Sequence, residues 1–522
     1  MNTEHGILFS DEYQKSLKEQ FYYGDEDPEY GHRLFFENSG GSLRLKKAVE
    51  VKCAVEQFPD CPERVRGRGY ELQSYVKDGT KEILEVVFGA KSGALVTELS
   101  ASQAMNQAVG AIMENVKWGT NAVTSSLEHP SAHDAVEYYC NKTGREFRVV
   151  PANKATGGID PDEVMKYVDK DTCLLSIMAA SNISGNIMDI KEITRRAKEI
   201  NPDIYVISDA VQHAPHAVID VEDWGVDVAN FAPYKFFGIR GCGYAYVSDR
   251  VAKLPHHKLI HKEADVWNLG TPAPANYAAM MAVIDYVCDI GAHFLEDADK
   301  ADKRALYVEG MNRIHLQERA LLYRMLEGTD EVPGLRHIDN VEVYVDMEDL
   351  TYKDLIVAMG IKGIEYSECV QKYLDHGVTV FERLRSSMYS KRIVEALGIE
   401  GAIRVSPLHC NSTETIDEFL RITQKSQKAY NIVKEEPLSS PQRQRFFCTY
   451  LSSLSHLLQT RYRRLNQKTF LLNHKPRLQH TAYQPLKLRQ SHRFYLLQDT
   501  FRRFLSIFQI PVISLYIHQI RP

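Results

Sequence analysis

Two charged residues lie at the ends of two apolar segments, at a spacing that suits cofactor chemistry. Asp209 ends the run IYVIS, and Lys235 follows FAPY, 26 residues later, just before the glycine-rich turn GIRGCG. In open parallel sheets, ligands bind beyond the ends of such strands. A single strand-end aspartate is usually a helix cap and a single lysine is usually solvated. Only the two residues together, at this spacing, indicate a ligand site.

The pair has the chemistry that a pyridoxal 5'-phosphate (PLP) site requires. A lysine amine forms a Schiff base with the cofactor's aldehyde, and a carboxylate keeps the pyridine nitrogen protonated so that the ring can accept electrons. The sequence therefore predicts that Lys235 attaches the cofactor and that Asp209 contacts its pyridine nitrogen.

The surrounding sequence alternates helical periodicity with short apolar runs from about residue 60 to 290. This pattern predicts an α/β domain with a mostly parallel sheet and helices on both faces. Ser100 and Ser131 are predicted to begin helices after strands, and Gly144 to end the second helix.

The chain divides into four predicted parts. Residues 56–290 form the large domain, 291–436 a smaller α/β domain, and 1–55 a segment that packs with the smaller domain. The remainder, 437–522, has eleven Arg and three Lys against one acidic residue, a net charge of +13 that leaves −19 on residues 1–436. This basic tail is interpreted as an extension that binds a partner or nucleic acid, a packed cap, a disordered segment or sequence that is not under selection.

Composition limits the class of protein. Nine scattered cysteines without a C-x-x-C pair argue against zinc ribbons and favour reduced thiols in the cytoplasm. No run approaches the roughly 20 apolar residues of a membrane span, and the acidic start of the chain is unlike a signal peptide. We expect a cytoplasmic protein that binds a small amino acid and no membrane, with nucleic acid an unfavoured partner.

Seven short segments resemble, in the same order, the motifs of the class V aminotransferase family, especially its cysteine-desulfurase-like branch. They are ELSASQAMN, LEHPSAH, SNISGNI, DAVQ, APYK, LGTPAP and IRVSP. The resemblance covers roughly residues 30–425. It implies the PLP-dependent transferase fold of type I, with a seven-stranded, mostly parallel sheet in the large domain and a smaller α/β C-terminal domain.

The resemblance also assigns roles around the cofactor. It implies that Lys235 is the Schiff-base lysine, Asp209 the partner of the pyridine nitrogen and His129 the ring that stacks on the cofactor. The other residues implied to bind the cofactor or its phosphate are Ala101, Ser102, Gln103, Asn182, Gln212, Tyr234 and Thr271. The family's threonine at the last position often reaches the phosphate of a neighbouring subunit, which implies a homodimer with shared sites.

For the substrate, the resemblance implies that Arg404 binds the α-carboxylate and that Asn38, Ser39 and Gly40 line the entrance. An arginine suits a carboxylate because its planar fork donates two parallel hydrogen bonds. No metal site is predicted.

Two positions depart from the family pattern. Ala232 and Tyr234 stand where the family has a serine and a histidine that bind phosphate. In addition, the stretch that holds the desulfurase nucleophile in the family, here GVTVFERLRSSMYSKRIVEALG, has no cysteine, so a persulfide cannot form there in the usual way. Arg383 and Arg385 in this stretch suggest either recognition of an anionic substrate group or a solvated charged face.

Three functions follow as expectations. The first is a PLP-dependent enzyme that acts on a small amino acid, desulfurase-like or a C–S or C–Se lyase. The second is a class V aminotransferase or an amino-acid epimerase. The third, from another class, is a catalytically silent module of the same fold that binds nucleic acid through its basic tail; the retained Lys235, Asp209 and His129 argue against it.

Overall fold

The computed structural model describes residues 3–59 and 67–435, with the backbone alone for 426–435. The first compact unit of the chain comprises residues 1–436. The predicted basic tail, residues 437–522, lies outside the described residues.

The strands, in chain order, are β1 (Glu26–Asp27), β2 (Gly31–His32), β3 (Leu34–Phe35), β4 (Ala94–Glu98), β5 (Asn121–Ser125), β6 (Glu146–Val150), β7 (Thr172–Ser176), β8 (Tyr205–Asp209), β9 (Val228–Phe231), β10 (Gly243–Val247), β11 (Val341–Val343), β12 (Val357–Ile361), β13 (Val378–Thr379), β14 (Phe381–Leu384) and β15 (Gly401–Val405).

Helices cover the sheets and connect their strands. They are α1 (Asp11–Lys18), α2 (Lys46–Val55), α3 (Arg68–Glu82), α4 (Ala101–Asn115), α5 (Pro130–Thr143), α6 (Pro161–Val164), α7 (Ile190–Ile200), α8 (Val221–Trp224), α9 (Asp249–Ala252), α10 (Pro274–Phe294), α11 (Lys303–Glu327), α12 (Tyr366–Asp375), α13 (Lys391–Leu397) and α14 (Thr413–Glu435). No helix among the described residues is long and apolar enough to cross a membrane.

The larger sheet has seven strands in the order β4-β10-β9-β8-β7-β5-β6. The strands from β9 through β6 run parallel, and β10 runs antiparallel to both β4 and β9. The predicted mostly parallel, seven-stranded sheet is therefore confirmed. Strands β5, β7, β9 and β10 are buried along their whole length, because helices cover both faces of the sheet.

Helices α4 and α5 begin directly after strands of this sheet, as the sequence predicts, but the second begins differently. Ser100 caps α4 by accepting a hydrogen bond from the backbone N–H of Gln103. At α5 the cap is His129, whose ring accepts from the N–H of Ser131, so the prediction that Ser131 begins the helix is wrong by two residues. Gly144 ends α5 in the left-handed conformation, as predicted.

Long helices α10 and α11 pack together behind the larger sheet. A Cβ at Gly291 would lie 1.9 Å from the carbonyl oxygen of Leu306, and one at Gly310 would lie 2.0 Å from that of Val287. Glycine is required at both positions because the two backbones touch there. Asp302 caps α11 and separates it from a short 3-10 turn at Ala298–Lys300.

The smaller sheet is antiparallel, in the order β11-β12-β15-β14. The N-terminal segment reaches it through β3, which pairs in parallel with β13. Phe36 is fully buried beside Phe419 of α14, with ring centroids 5.4 Å apart. These contacts place residues 34–45 between the smaller sheet and the turn that contains Lys235.

Candidate active site

The C-terminal ends of the parallel strands meet around one cavity. Chain segments that follow β4, β5, β7, β8 and β9 all contribute to a cavity of about 70 Å³. This is the edge of an α/β sheet where ligands bind. Eight of the residues implied by the sequence line it: Ala101, Ser102, His129, Asn182, Asp209, Gln212, Tyr234 and Lys235.

Lys235 lies on a 3-10 turn, Pro233–Lys235, directly after β9. Its side chain is only 9% exposed. Burial, together with the positive charges of Arg404 and Arg383, lowers the pKa of Lys235 to about 8 against the opposing effect of Asp209. A buried amine that is easily deprotonated suits imine formation.

The turn is fixed by the N-terminal segment. The backbone N–H of Ser42 donates to the carbonyl of Tyr234 at 3.0 Å, and the Ser42 hydroxyl accepts from the N–H of Phe237 at 2.9 Å. Phe237 has φ 57°, a strained conformation for a bulky residue. Because these bonds over-determine the turn, Lys235 is presented to the cavity in a defined position.

The depressed pKa of Lys235 has a measurable consequence for cofactor uptake. We expect the rate at which the cofactor-free protein takes up PLP to rise with pH up to about 8 and then to level off, since only the neutral amine attacks the aldehyde. An exposed lysine would continue to gain neutral form up to about pH 10.4. Stopped-flow absorbance across this range measures the profile; a rate that climbs tenfold per pH unit beyond pH 8 would contradict the assignment.

Asp209 ends β8 and is 5% exposed. Its Oδ1 accepts a hydrogen bond from the N–H of Val211 at 3.1 Å. Burial raises its pKa, while the N–H of Val211 and the charge of Lys235 lower it. A protonated ring nitrogen would provide the cation that this buried carboxylate needs.

His129 is oriented by its own helix start. Its Nδ1 lies 2.7 Å from the Ser131 hydroxyl and accepts the backbone N–H of Ser131 at 3.2 Å. Burial and the nearby Lys235 lower the pKa of His129 to about 4, so the imidazole is neutral at ordinary pH. A neutral, fixed ring is suited to stacking on an aromatic cofactor.

Two amide oxygens in the cavity lining have no hydrogen-bond partner. They are Oδ1 of Asn182 and Oε1 of Gln212, both buried. Buried polar atoms are nearly always paired in native proteins, so orphaned atoms in a cavity wall indicate a place for a ligand.

Ala101 and Ser102 bring the first turn of α4 to the cavity, where unpaired N–H groups favour an anion such as phosphate. Gly243 of β10 makes this approach possible, since a Cβ there would lie 2.0 Å from the backbone nitrogen of Ala101. Gln103 is placed differently: its exposed side chain faces a separate cavity on the outer side of α4 and accepts a hydrogen bond from the Ser100 hydroxyl.

The remaining predicted residues lie outside the lining. Thr271 is exposed on a loop of the same chain. Arg404, on β15, is buried, and its Nη1 donates to the backbone oxygen of Asn182 at 2.8 Å, which connects it to the cavity wall. Asn38 is occupied within the protein: its amide donates to the carbonyls of Phe35 and Ser406, and its Oδ1 accepts from a backbone N–H.

Ser39 and Gly40 follow Asn38 and lie close to Ser406 and Glu37. The Ser39 backbone N–H donates to the Ser406 hydroxyl at 3.1 Å, while its own hydroxyl is buried without a partner. A Cβ at Gly40 would lie 2.5 Å from a carboxylate oxygen of Glu37. Of the predicted entrance residues, Ser39 therefore has the group that is free for a ligand.

Comparisons with known proteins show which families and folds the chain is similar to. The sequence profile of the family described as aminotransferase class-V matches residues 68–319. A cysteine desulfurase IscS of Methanosarcina thermophila is 28% identical over 74% of this chain and 90% of that protein. Residues 68–319 therefore match the class V aminotransferase family.

Other relatives indicate the branch of the family. A cysteine desulfurase IscS of Dictyoglomus turgidum is 32% identical, and a selenocysteine lyase of Rattus norvegicus is 30% identical. These two alignments cover 42% and 38% of this chain, and 54% and 48% of the relatives' lengths. The solved cysteine desulfurase of Thermococcus onnurineus NA1 shares the fold, with a TM-score of 0.66 and 21% identity over 81% of this chain and 99% of that one.

Members of the class V aminotransferase family are PLP-dependent enzymes, and the residues present fit that cofactor. The cavity supplies a buried lysine with a depressed pKa, a buried carboxylate, a neutral histidine, two side-chain amides with donor groups and a helix N-terminus. PLP presents an aldehyde, a protonatable ring nitrogen, a flat ring, a phenolic oxygen and a phosphate, so each group has a chemically suitable partner.

Sequence reasoning did not identify the cations beside Tyr234. The guanidinium of Arg240 lies over the Tyr234 ring, 4.2 Å from its centroid, and Arg44 donates to the Tyr234 carbonyl at 2.6 Å. They lie where the family's serine and histidine are replaced by Ala232 and Tyr234. Clustered arginines near a glycine-rich turn are the sequence signal that could have revealed them.

Proposed function

We propose that this PLP-dependent enzyme cleaves the bond between the β-carbon and sulfur or selenium of a small amino acid by β-elimination. Its named relatives are cysteine desulfurases and selenocysteine lyases. The observation that carries the proposal is a cavity that holds Lys235, Asp209 and His129 together and that no cysteine of the described residues lines.

Lys235 is the base in this proposal. The bound cofactor supplies an electron sink that stabilises the negative charge left on the substrate's α-carbon. A neutral Lys235 amine removes the α-proton, and its pKa of about 8 lets it both accept and release a proton near neutral pH. Asp209 keeps the sink electron-poor, and Arg404 orients the substrate through its carboxylate.

The cysteines nearest in sequence to the family's nucleophile position are unsuited to attack. Cys369 of α12 and Cys410 after β15 are both buried, and burial raises the pKa of each thiol to about 12. A thiol with such a pKa is hardly ionised at neutral pH. Release of sulfide or selenide with loss of the amino group to give a keto acid therefore fits these residues better than persulfide transfer.

The test is a product assay on the purified holoenzyme. L-cysteine should yield pyruvate, ammonia and sulfide in equal amounts, without added thiol. Alanine formed only with an added thiol acceptor would indicate the desulfurase reaction. Conversion of L-alanine to its D-form, or to a keto acid with loss of cofactor absorption, would favour the epimerase or aminotransferase alternative and contradict the proposal.

We further propose a homodimer with shared sites, in the cytoplasm. Leu99 and Leu269 are 72% and 55% exposed, and Leu269 and Glu98 line the outer cavity on α4 that Ser102 shares with the active site. A second copy that covers these residues could bring its Thr271 to the phosphate. The seven cysteines among the described residues are unpaired, which is consistent with a reducing compartment. A monomeric mass in sedimentation would contradict the dimer.

A further inference from the structure

Beside the active site, one carboxylate holds two arginines. Oε1 of Glu37 accepts hydrogen bonds from Arg404 and, at 2.6 Å, from Arg383. Oε2 of Glu37 also lies 3.3 Å from Nε of Arg404. All three side chains are largely buried, at 14% exposure for Glu37, 18% for Arg383 and 2% for Arg404.

The arrangement follows from the strand register. Phe381 of β14 pairs with Arg404 of β15, so Arg383, two residues along β14, is a diagonal neighbour of Arg404 on the same face. Two like charges at this spacing repel each other, and Glu37, carried next to β15 by its bridge to Ser406, compensates for the repulsion. Gly40 leaves room for the Glu37 carboxylate, because a Cβ there would lie 2.5 Å from Oε1.

The net charge of Glu37, Arg383 and Arg404 allows the three side chains to neutralise one additional anion. Two guanidinium groups and one carboxylate leave a single positive charge. In the proposed function, a substrate α-carboxylate that binds Arg404 would take the place of Glu37 there, and Glu37 would keep its bond to Arg383. Both arginines are then neutralised, and no cation of this group remains for a second acidic substituent.

We infer that Glu37 is a specificity-determining residue that, by neutralising Arg383, disfavours amino acids that carry a second carboxylate on the side chain. The inference rests on the proposed function, in which Arg404 binds the substrate carboxylate. An acidic side chain near Glu37 would be repelled, and discrimination of this kind relies on an unfavourable interaction as much as on a favourable one.

The neighbouring arginine does not change this conclusion. Arg385, two residues along from Arg383, is paired with Glu400 at 3.1 Å and donates to the carbonyl of Ile399. Of the two readings of this arginine-containing stretch, recognition of an anionic substrate group is thus disfavoured by the structure, since each arginine has an internal carboxylate.

The experiment measures binding rather than turnover. L-alanine and L-aspartate, neither of which has a sulfur or selenium leaving group, are titrated into the PLP-loaded full chain, and dissociation constants are taken from the change in cofactor absorption. The native protein should bind L-alanine at least about tenfold more tightly than L-aspartate. Glu37→Gln should remove most of this preference by improving L-aspartate binding about tenfold.

Further variants separate the causes. Glu37→Asp keeps the charge and should keep the preference for L-alanine. In Arg383→Gln, Glu37 has no other arginine to pair with when the substrate carboxylate binds Arg404, so L-alanine should bind about tenfold more weakly. The double variant Glu37→Gln/Arg383→Gln removes the unpaired carboxylate and should bind L-alanine as tightly as the native protein does. Glu400→Gln, which frees Arg385 in the same manner at the surface, should change the ratio less than about twofold.

Three outcomes would overturn the inference. They are an unchanged ratio in Glu37→Gln, an equal shift in Glu400→Gln, or a native preference for L-aspartate. A native holoenzyme that responds to neither amino acid would also overturn the inference, whereas the products formed from L-cysteine test the proposed function separately. Arg383→Gln keeps the inference testable if Glu37→Gln does not fold.

Discussion

Lys235→Ala is expected to remove the visible absorption of the bound cofactor and to reduce amino-acid cleavage by about 10³-fold or more. Lys235 is buried at the end of β9 and lines the cavity with Asp209 and His129. No other lysine lines this cavity among the described residues. Alanine can neither attach the aldehyde nor move a proton, and it leaves the neighbouring residues in place.

Lys353 provides a matched control. It is 1% exposed, and burial lowers its pKa to about 8, as for Lys235, but it lies outside the cavity and its Nζ has no hydrogen-bond partner. Lys353→Ala should therefore keep the absorption band and the activity. Loss of the band in Lys353→Ala but not in Lys235→Ala would show that the cofactor is attached to Lys353.

The elements that position the site follow from local sequence signals. Asp209 and Lys235 could be found because each ends an apolar run, and in a parallel sheet all such ends meet at one edge. The start of α4 at Ser100 was equally accessible, since a serine before a helical run is a strong capping signal. These signals span only a few residues, so they can be recognised without knowledge of the tertiary structure.

The features that escape prediction depend on long-range contacts. Glu37 meets Arg383 and Arg404 from positions 346 and 367 residues away. The register of β14 with β15 brings the two arginines together, and the bridge of Glu37 to Ser406 brings the carboxylate to them. The resemblance implies that Gln103 binds the cofactor, but its exposed side chain lines the neighbouring outer cavity on α4. His129 takes the cap position from Ser131 because Pro130 favours the first turn of a helix.

Asp209→Asn is expected to lower the rate of cleavage by about 10²-fold to 10³-fold while the protein still binds PLP. The amide keeps the shape of the side chain and can still accept the N–H of Val211. It cannot hold a proton on the ring nitrogen electrostatically, so the ring becomes a poorer electron acceptor and loss of the α-proton slows. Lys235 and the first turn of α4 are unchanged in this variant, so we expect the cofactor to be retained.

The measurement compares cleavage rates and cofactor content of Asp209→Asn with those of Glu128→Gln. Glu128 is a second buried carboxyl close to Asp209: burial raises its pKa to about 8, and its Oε1 accepts from the Ser125 hydroxyl and the N–H of Met178. A neutral amide can accept both bonds, so Glu128→Gln should retain activity within about threefold. An Asp209→Asn enzyme with the native rate would show that a charge on Asp209 is not needed. The pyridine nitrogen would then have a partner other than Asp209.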